Sequence, residues 1–163
     1  MHRVAAHPNL NFTVIINPDS GPGNPSAPNN DFYGQIVKLN SYSNVKTIGY
    51  VHTSYATRDI NAVLADVSTY AGWAANSSSI AVNGIFFDEG PDQYTVATAE
   101  YVSTINQAVK NSTAFSPINK VCNHLLRNNV APILLWLSLV MAIFCANMVT
   151  RSSTIQDLFQ THA

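Results

Sequence analysis

Val82-Asn83-Gly84-Ile85-Phe86-Phe87-Asp88-Glu89-Gly90-Pro91 is a short apolar run that ends abruptly in two adjacent carboxylates and a Gly-Pro break. The run predicts a strand over 82–87, because it is too short for a helix and is continuously apolar, as in strands buried on both faces. Two runs of the same kind lie upstream. Phe12 to Asn17 (FTVIIN) leads into Pro18-Asp19-Ser20-Gly21-Pro22-Gly23, and Val45 to Val51 (VKTIGYV) leads into His52-Thr53-Ser54-Tyr55. Apolar residues at helical spacing separate the runs: Phe32, Ile36, Val37 and Leu39 in Asp31–Tyr42, then Ile60, Val63, Leu64 and Val67 after a Thr57 N-cap. A further helix is predicted over 93–110, with Tyr101, Val102, Ile105 and Val109 on one side. Strand and helix alternate three times, which predicts an α/β fold of parallel strands covered by helices.

Composition narrows the function. Of 163 residues only 10% are charged, with eight Lys and Arg against nine Asp and Glu and a formal net charge of −1. Ordinary soluble domains run near 25% charged. No cationic field is available for a nucleic-acid backbone, so nucleic acid is excluded as a partner. The length suits one domain with a real core but is short of the roughly 250 residues of a complete α/β barrel. Cys122 and Cys145 form no CxxC or Cys/His cluster, so no metal site is expected. Ser20-Gly21-Pro22-Gly23 lacks the GK[ST] ending of a phosphate-binding loop, and no cofactor is expected.

The ends of the chain differ in character from its middle. Met1 to Pro8 has no apolar h-region, so no signal peptide is read here. Val130 to Val149 holds no charged residue and is long enough for a membrane-spanning helix. The expected division is therefore 1–115 as the α/β unit and 116–163 as a divergent tail, with membrane contact through 130–149 as the expectation for that tail. Three N-glycosylation sequons occur, at Asn11, Asn76 and Asn111.

Chemistry is expected beyond the carboxyl ends of the strands, where open and barrel-type α/β folds bind ligands. Asp88 and Glu89 leave the third strand there. Two neighbouring carboxyls can divide into a proton donor and a charged partner. The competing reading makes them helix caps for the segment after Pro91. Asn17 and Asp19 can hydrogen-bond ligand hydroxyls or simply build a turn. Tyr50 and Tyr55 can stack on a sugar ring or pack, and His52 can donate to a ligand or serve the structure.

Taken together, Val14-Ile15-Ile16-Asn17-Pro18-Asp19-Ser20-Gly21-Pro22-Gly23, Ile48-Gly49-Tyr50-Val51-His52-Thr53-Ser54-Tyr55 and Gly84-Ile85-Phe86-Phe87-Asp88-Glu89 closely resemble the spherulation-specific family 4 (spherulin-4-like) proteins. The resemblance covers about residues 5 to 115. It implies a (β/α)8 TIM barrel, of which this chain would hold strands two to four plus an apolar C-terminal helix. Related fungal members are secreted or cell-surface glycoside hydrolases that cleave galactosaminogalactan, a polymer of galactose and N-acetylgalactosamine. By motif the family's acidic pair falls on Asp88 and Glu89 as catalytic residues. Asn17 and Asp19 fall on the loop after the second family strand, and Tyr50 and His52 on the third; with Tyr55 these make the expected substrate-binding set. The partner implied is a polysaccharide, with no protein partner. A further family carboxylate, from a later strand, has no counterpart here. The expectation is thus a fragment of a cell-surface hydrolase, inactive by itself, with a non-catalytic cell-wall protein that keeps the barrel scaffold as the alternative.

Overall fold

A computed structural model describes residues 2–115 and the backbone of 122–123. A short helix α1 (His2–Ala6) precedes strand β1 (Phe12–Ile16), and helix α2 (Asn30–Asn40) leads to strand β2 (Val45–His52). Helix α3 (Ile60–Asn76), strand β3 (Ile85–Asp88), helix α4 (Val96–Asn111) and the two-residue strand β4 (Cys122–Asn123) follow. The sheet order is β1-β2-β3-β4, and every neighbouring pair is parallel.

The register sorts side chains onto two faces. Val14 pairs with Thr47, Ile16 with Gly49, Gly49 with Ile85 and Val51 with Phe87. These residues share the face covered by helices, where Ile36 and Leu39 of α2, Val63, Val67, Tyr70 and Trp73 of α3, and Ile105 and Val109 of α4 complete one apolar core. Alternation places Thr13, Ile15, Lys46, Ile48, Tyr50, His52, Phe86 and Asp88 on the other face. Gly49 lets the two layers meet closely: a Cβ there would lie 2.7 Å from the Tyr70 ring.

Two corrections to the sequence reading concern architecture. The described strands make an open sheet that is not closed into a barrel: β1 pairs only with β2, and β4 only with β3. Closure requires the first and last strands to hydrogen-bond. The membrane-spanning expectation finds no support among the described residues. Among the described residues no helix is long and apolar enough to cross a membrane, and the 130–149 run lies outside the described residues. The longest described helix, α3, has 17 residues and buries only one side, short of the about 20 apolar residues a span needs.

Local starts also shift. Asp59, not Thr57, caps α3, its carboxylate accepting from Asn61 N at 2.9 Å and Ala62 N at 3.1 Å. Strand β3 begins at Ile85, not Val82, because Asn83 Oδ1 occupies the Thr47 N–H at 3.2 Å. Asn40 joins the same cluster, donating to Ser79 O and Ala81 O at 2.9 Å and accepting from Thr47 Oγ1 at 2.9 Å. Thr47 is fully buried, so these bonds satisfy polar groups that would otherwise destabilise the end of the sheet where the strands begin.

Candidate active site

The opposite end of the sheet gathers the residues of interest. Asp88 is the last residue of β3, and His52, its direct partner in register, is the last residue of β2. Tyr50 lies two residues before His52 and so shares its face. Its phenol donates to Asp88 Oδ2 at 2.9 Å, while Glu89 N donates to Asp88 Oδ1 at 2.9 Å. Both carboxylate oxygens are thereby engaged, and Asp88 acts as acceptor to the strand beside it and to the residue after it. Burial, and then the Asp88 carboxylate beside it, push the Tyr50 phenol well above the ordinary tyrosine range.

The Tyr50 backbone is itself anchored from the helical layer. Tyr70 Oη accepts from Tyr50 N at 3.2 Å and donates to Ile16 O at 2.8 Å. Strand β1 ends at Ile16, so one buried phenol continues its pairing to β2.

The chain leaves β3 through Glu89, which is half-buried at φ 53. Ser20 (φ 47), Ser54 (φ 47), Tyr55 (φ 57) and Ala56 (φ 66) are likewise in the left-handed region. Every non-glycine residue with positive φ among the described residues thus lies in a loop after a strand, at the end bearing Asp88. Such conformations cost of order 1–3 kcal/mol each and cluster at functional sites. Thr53, almost fully buried, holds two of these loops together. Its Oγ1 donates to Glu89 O at 2.7 Å and to Asp88 O at 3.0 Å, and Tyr55 N donates to Glu89 O at 2.7 Å.

The remaining sequence candidates divide. His52 Nδ1 lies 3.0 Å from Ser20 O; a carbonyl only accepts, so Nδ1 carries the proton and ties β2 to the loop after β1. Tyr55 is 60% exposed and offers an open aromatic face. Asn17 turns its side chain to the loop, accepting from Gly21 N at 3.0 Å. Asp19 is exposed and helps form the same turn through its backbone. The structure therefore places Tyr50, His52, Asp88, Glu89 and Tyr55 at one end of the sheet, with Asn17 and Asp19 in the turn that follows β1.

Two contributors escaped the sequence reading. Thr53 is one, and its position between His52 and Ser54 at a strand end was the available signal. Arg58 is the other: its Nη1 donates to His52 O at 3.1 Å and pairs with Asp66 Oδ2 at 2.7 Å. Nothing in the spacing from Arg58 to Asp66 pointed to this bridge behind the site. Among the described residues no group of His, Cys, Asp and Glu could hold a metal ion.

The capping alternative for the acidic pair can be tested directly. Helix α4 is capped by Thr95, which forms a capping box with Thr98, and it starts only at Val96. Neither Asp88 nor Glu89 caps it.

The sequence matches the spherulation-specific family 4 over residues 1–129. The chain belongs to this family. Spherulin-4 of Physarum polycephalum is 32% identical over 119 residues, covering 73% of this chain and 32% of that protein. A crystal structure of Aspergillus clavatus Sph3 in complex with GalNAc aligns with a TM-score of 0.70 at 43% identity, covering 74% of this chain and 48% of that one. This family-4 chain thus spans about a third of the curated relative and about half of the solved one.

Proposed function

We propose that this segment supplies the acid-bearing part of the active site of a glycoside hydrolase acting on an N-acetylgalactosamine-containing polysaccharide. The observation that carries the reading is the Asp88–Glu89 pair at the carboxyl end of β3, with Asp88 fixed by Tyr50 and by the Glu89 backbone. Rigid support of a carboxylate where no helix needs capping suits catalysis better than scaffolding. The GalNAc in the Aspergillus clavatus Sph3 structure supports the sugar class. Family membership supports an extracellular or cell-surface setting.

The two carboxyls divide by environment. Asp88 has both oxygens accepting, which suits a charged partner that orients the sugar or stabilises an oxocarbenium-like transition state. Among the described residues no hydrogen bond engages the Glu89 carboxyl, and its side chain is longer. Glu89 is the general acid that protonates the leaving oxygen. His52 and Tyr55 contact the sugar, Tyr55 through its open ring, and Tyr50 lies beneath it while holding Asp88. Asn17 and Asp19, in the turn after β1, border the sugar.

The test is a titration of isotope-labelled chain with N-acetylgalactosamine, followed by NMR. Resonances of His52, Tyr55, Asp88 and Glu89 are expected to shift together and saturate, and Asp88→Asn is expected to weaken the response. A chain whose spectrum stays unchanged at high millimolar sugar would sink the reading.

A further inference from the structure

The three sequons, Asn11-Phe12-Thr13, Asn76-Ser77-Ser78 and Asn111-Ser112-Thr113, play no part in the candidate site. The fold nevertheless sorts them. Asn11 immediately precedes β1, whose far end bears the loop beside His52. At about 3.3 Å per residue it lies roughly 17 Å from that loop. Asn76 is the last residue of α3 and Asn111 the last of α4. Helices that connect parallel strands run back along the sheet, so their final residues lie where the strands begin. Tyr101 marks the direction of α4: its hydroxyl donates to Arg58 O at 2.9 Å, close to the site. Asn111 lies about 15 Å further along that helix at 1.5 Å per residue.

All three sequons therefore sit at the end of the fold opposite Asp88 and Glu89. Each of the three asparagines is exposed. At Asn76 and Asn111 the next residue is already extended, Ser77 at φ −158 and ψ 130 and Ser112 at φ −80 and ψ 124. Those sequons leave their helices instead of lying within them. The amide of Asn76 donates to Ser26 O at 2.8 Å. A primary amide has two N–H groups, so this contact survives substitution of one of them.

We propose that Asn11, Asn76 and Asn111 are N-glycosylation sites, and that the glycans cover the face where the strands begin and leave the acidic end open. The donor class is a lipid-linked oligosaccharide pyrophosphate. The sugar C1–O bond to pyrophosphate breaks, a C1–Nδ2 bond forms, the amide gives up one proton, and the lipid pyrophosphate leaves. Low charge gives the proposal a physical benefit: a chain only 10% charged gains hydration from bulky polar groups on its exposed surface.

The test is expression of the full chain behind a secretory leader in yeast. Amidase removal of glycans in heavy-oxygen water then marks each occupied asparagine as labelled aspartate for mass spectrometry. Labelling at all three sites is expected, with each Asn→Gln variant removing one mass step. An unlabelled asparagine overturns its assignment. Because glycans are attached before folding, poor folding does not hide the result. The melting temperature of the glycosylated chain is compared with that of the enzymatically deglycosylated chain. Equal or higher values are expected, and a value lower by more than about 5 °C, on the order of 1 kcal/mol for a domain of this size, would show that the face is not open. Neither measurement depends on catalysis.

Discussion

Tyr50 and Asp88 are diagonal neighbours on adjacent strands, with the phenol donating to Oδ2 at 2.9 Å. The bond joins strand β2 to the carboxylate at the end of β3. Tyr70 of α3 fixes the Tyr50 backbone, Tyr50 fixes Asp88, and Thr53 fixes the loop carrying Glu89. A helix on one face of the sheet thus sets the position of a carboxylate on the other.

Replacing Tyr50 with Phe keeps the ring and its contact with Phe86, whose centroid is 6.2 Å away, and removes only the hydroxyl. A hydrogen bond to a charged group contributes about 1.5–3 kcal/mol when buried and less where water competes. Tyr50 is half-buried, so a loss of about 1 kcal/mol in denaturant unfolding is expected. Weaker N-acetylgalactosamine binding should accompany it, read by the same NMR titration. Full binding with unchanged unfolding would show that the bond positions nothing.

Two glycines make a contrasting pair. Gly49 has the Tyr70 ring at 2.7 Å from any added Cβ, and Gly72, inside α3, has nothing within 4 Å. Gly49→Ala must push a fully buried ring and is expected to destabilise by about 1–3 kcal/mol. Gly72→Ala fills open space in a helix interior and should stabilise by about 0.5–1 kcal/mol. Denaturant midpoints moving in the same direction for both would contradict this packing.

Alkaline pH should destabilise the fold. Burial raises Tyr70, Tyr50 and Tyr101 above the ordinary tyrosine range. Well below about pH 10 folded and unfolded states both keep these protons. Above that the unfolded chain releases them while the folded chain does not, so it binds fewer protons and stability falls as pH rises. Tyr70→Phe removes the most buried of the three. It should be less stable at neutral pH, having lost its bonds to Tyr50 N and Ile16 O, yet show a shallower fall between pH 10 and pH 11. Equal slopes for the two proteins would count against the assignment.

Much of this was legible in the sequence because the signals were local. The three apolar runs and the helical stripes between them gave the parallel order. The polar residues after each run gave the end where Asp88, Glu89, His52 and Tyr55 meet. What the sequence concealed depends on contacts distant in the chain. Asn83 delays β3 because its side chain reaches Thr47, and Thr53 joins loops 35 residues apart through Asp88 O. The barrel expectation came from family resemblance; whether strands close is decided by pairing between the first and last of them, which no local pattern encodes.

The acidic pair yields the sharpest prediction. If Asp88 and Glu89 served the fold, their natural task would be capping α4, and Thr95 with Thr98 already does that. Thr95→Ala should therefore lower stability by about 1 kcal/mol and leave sugar binding intact. Asp88→Asn and Glu89→Gln preserve shape and remove charge or proton. Glu89→Gln leaves the Glu89 N–H on Asp88 in place and should hardly move the melting temperature, while Asp88→Asn keeps one carbonyl acceptor and should lose little more. In a full-length family member carrying this segment, loss of a placed general acid or base lowers turnover roughly 10²–10⁴-fold. Both acidic variants are expected in that range with near-normal melting, and Thr95→Ala is expected to melt lower with near-normal turnover. Measuring turnover and melting on the same samples separates the roles. Acidic variants that melt several degrees lower yet hydrolyse polymer at the parental rate would make the pair structural.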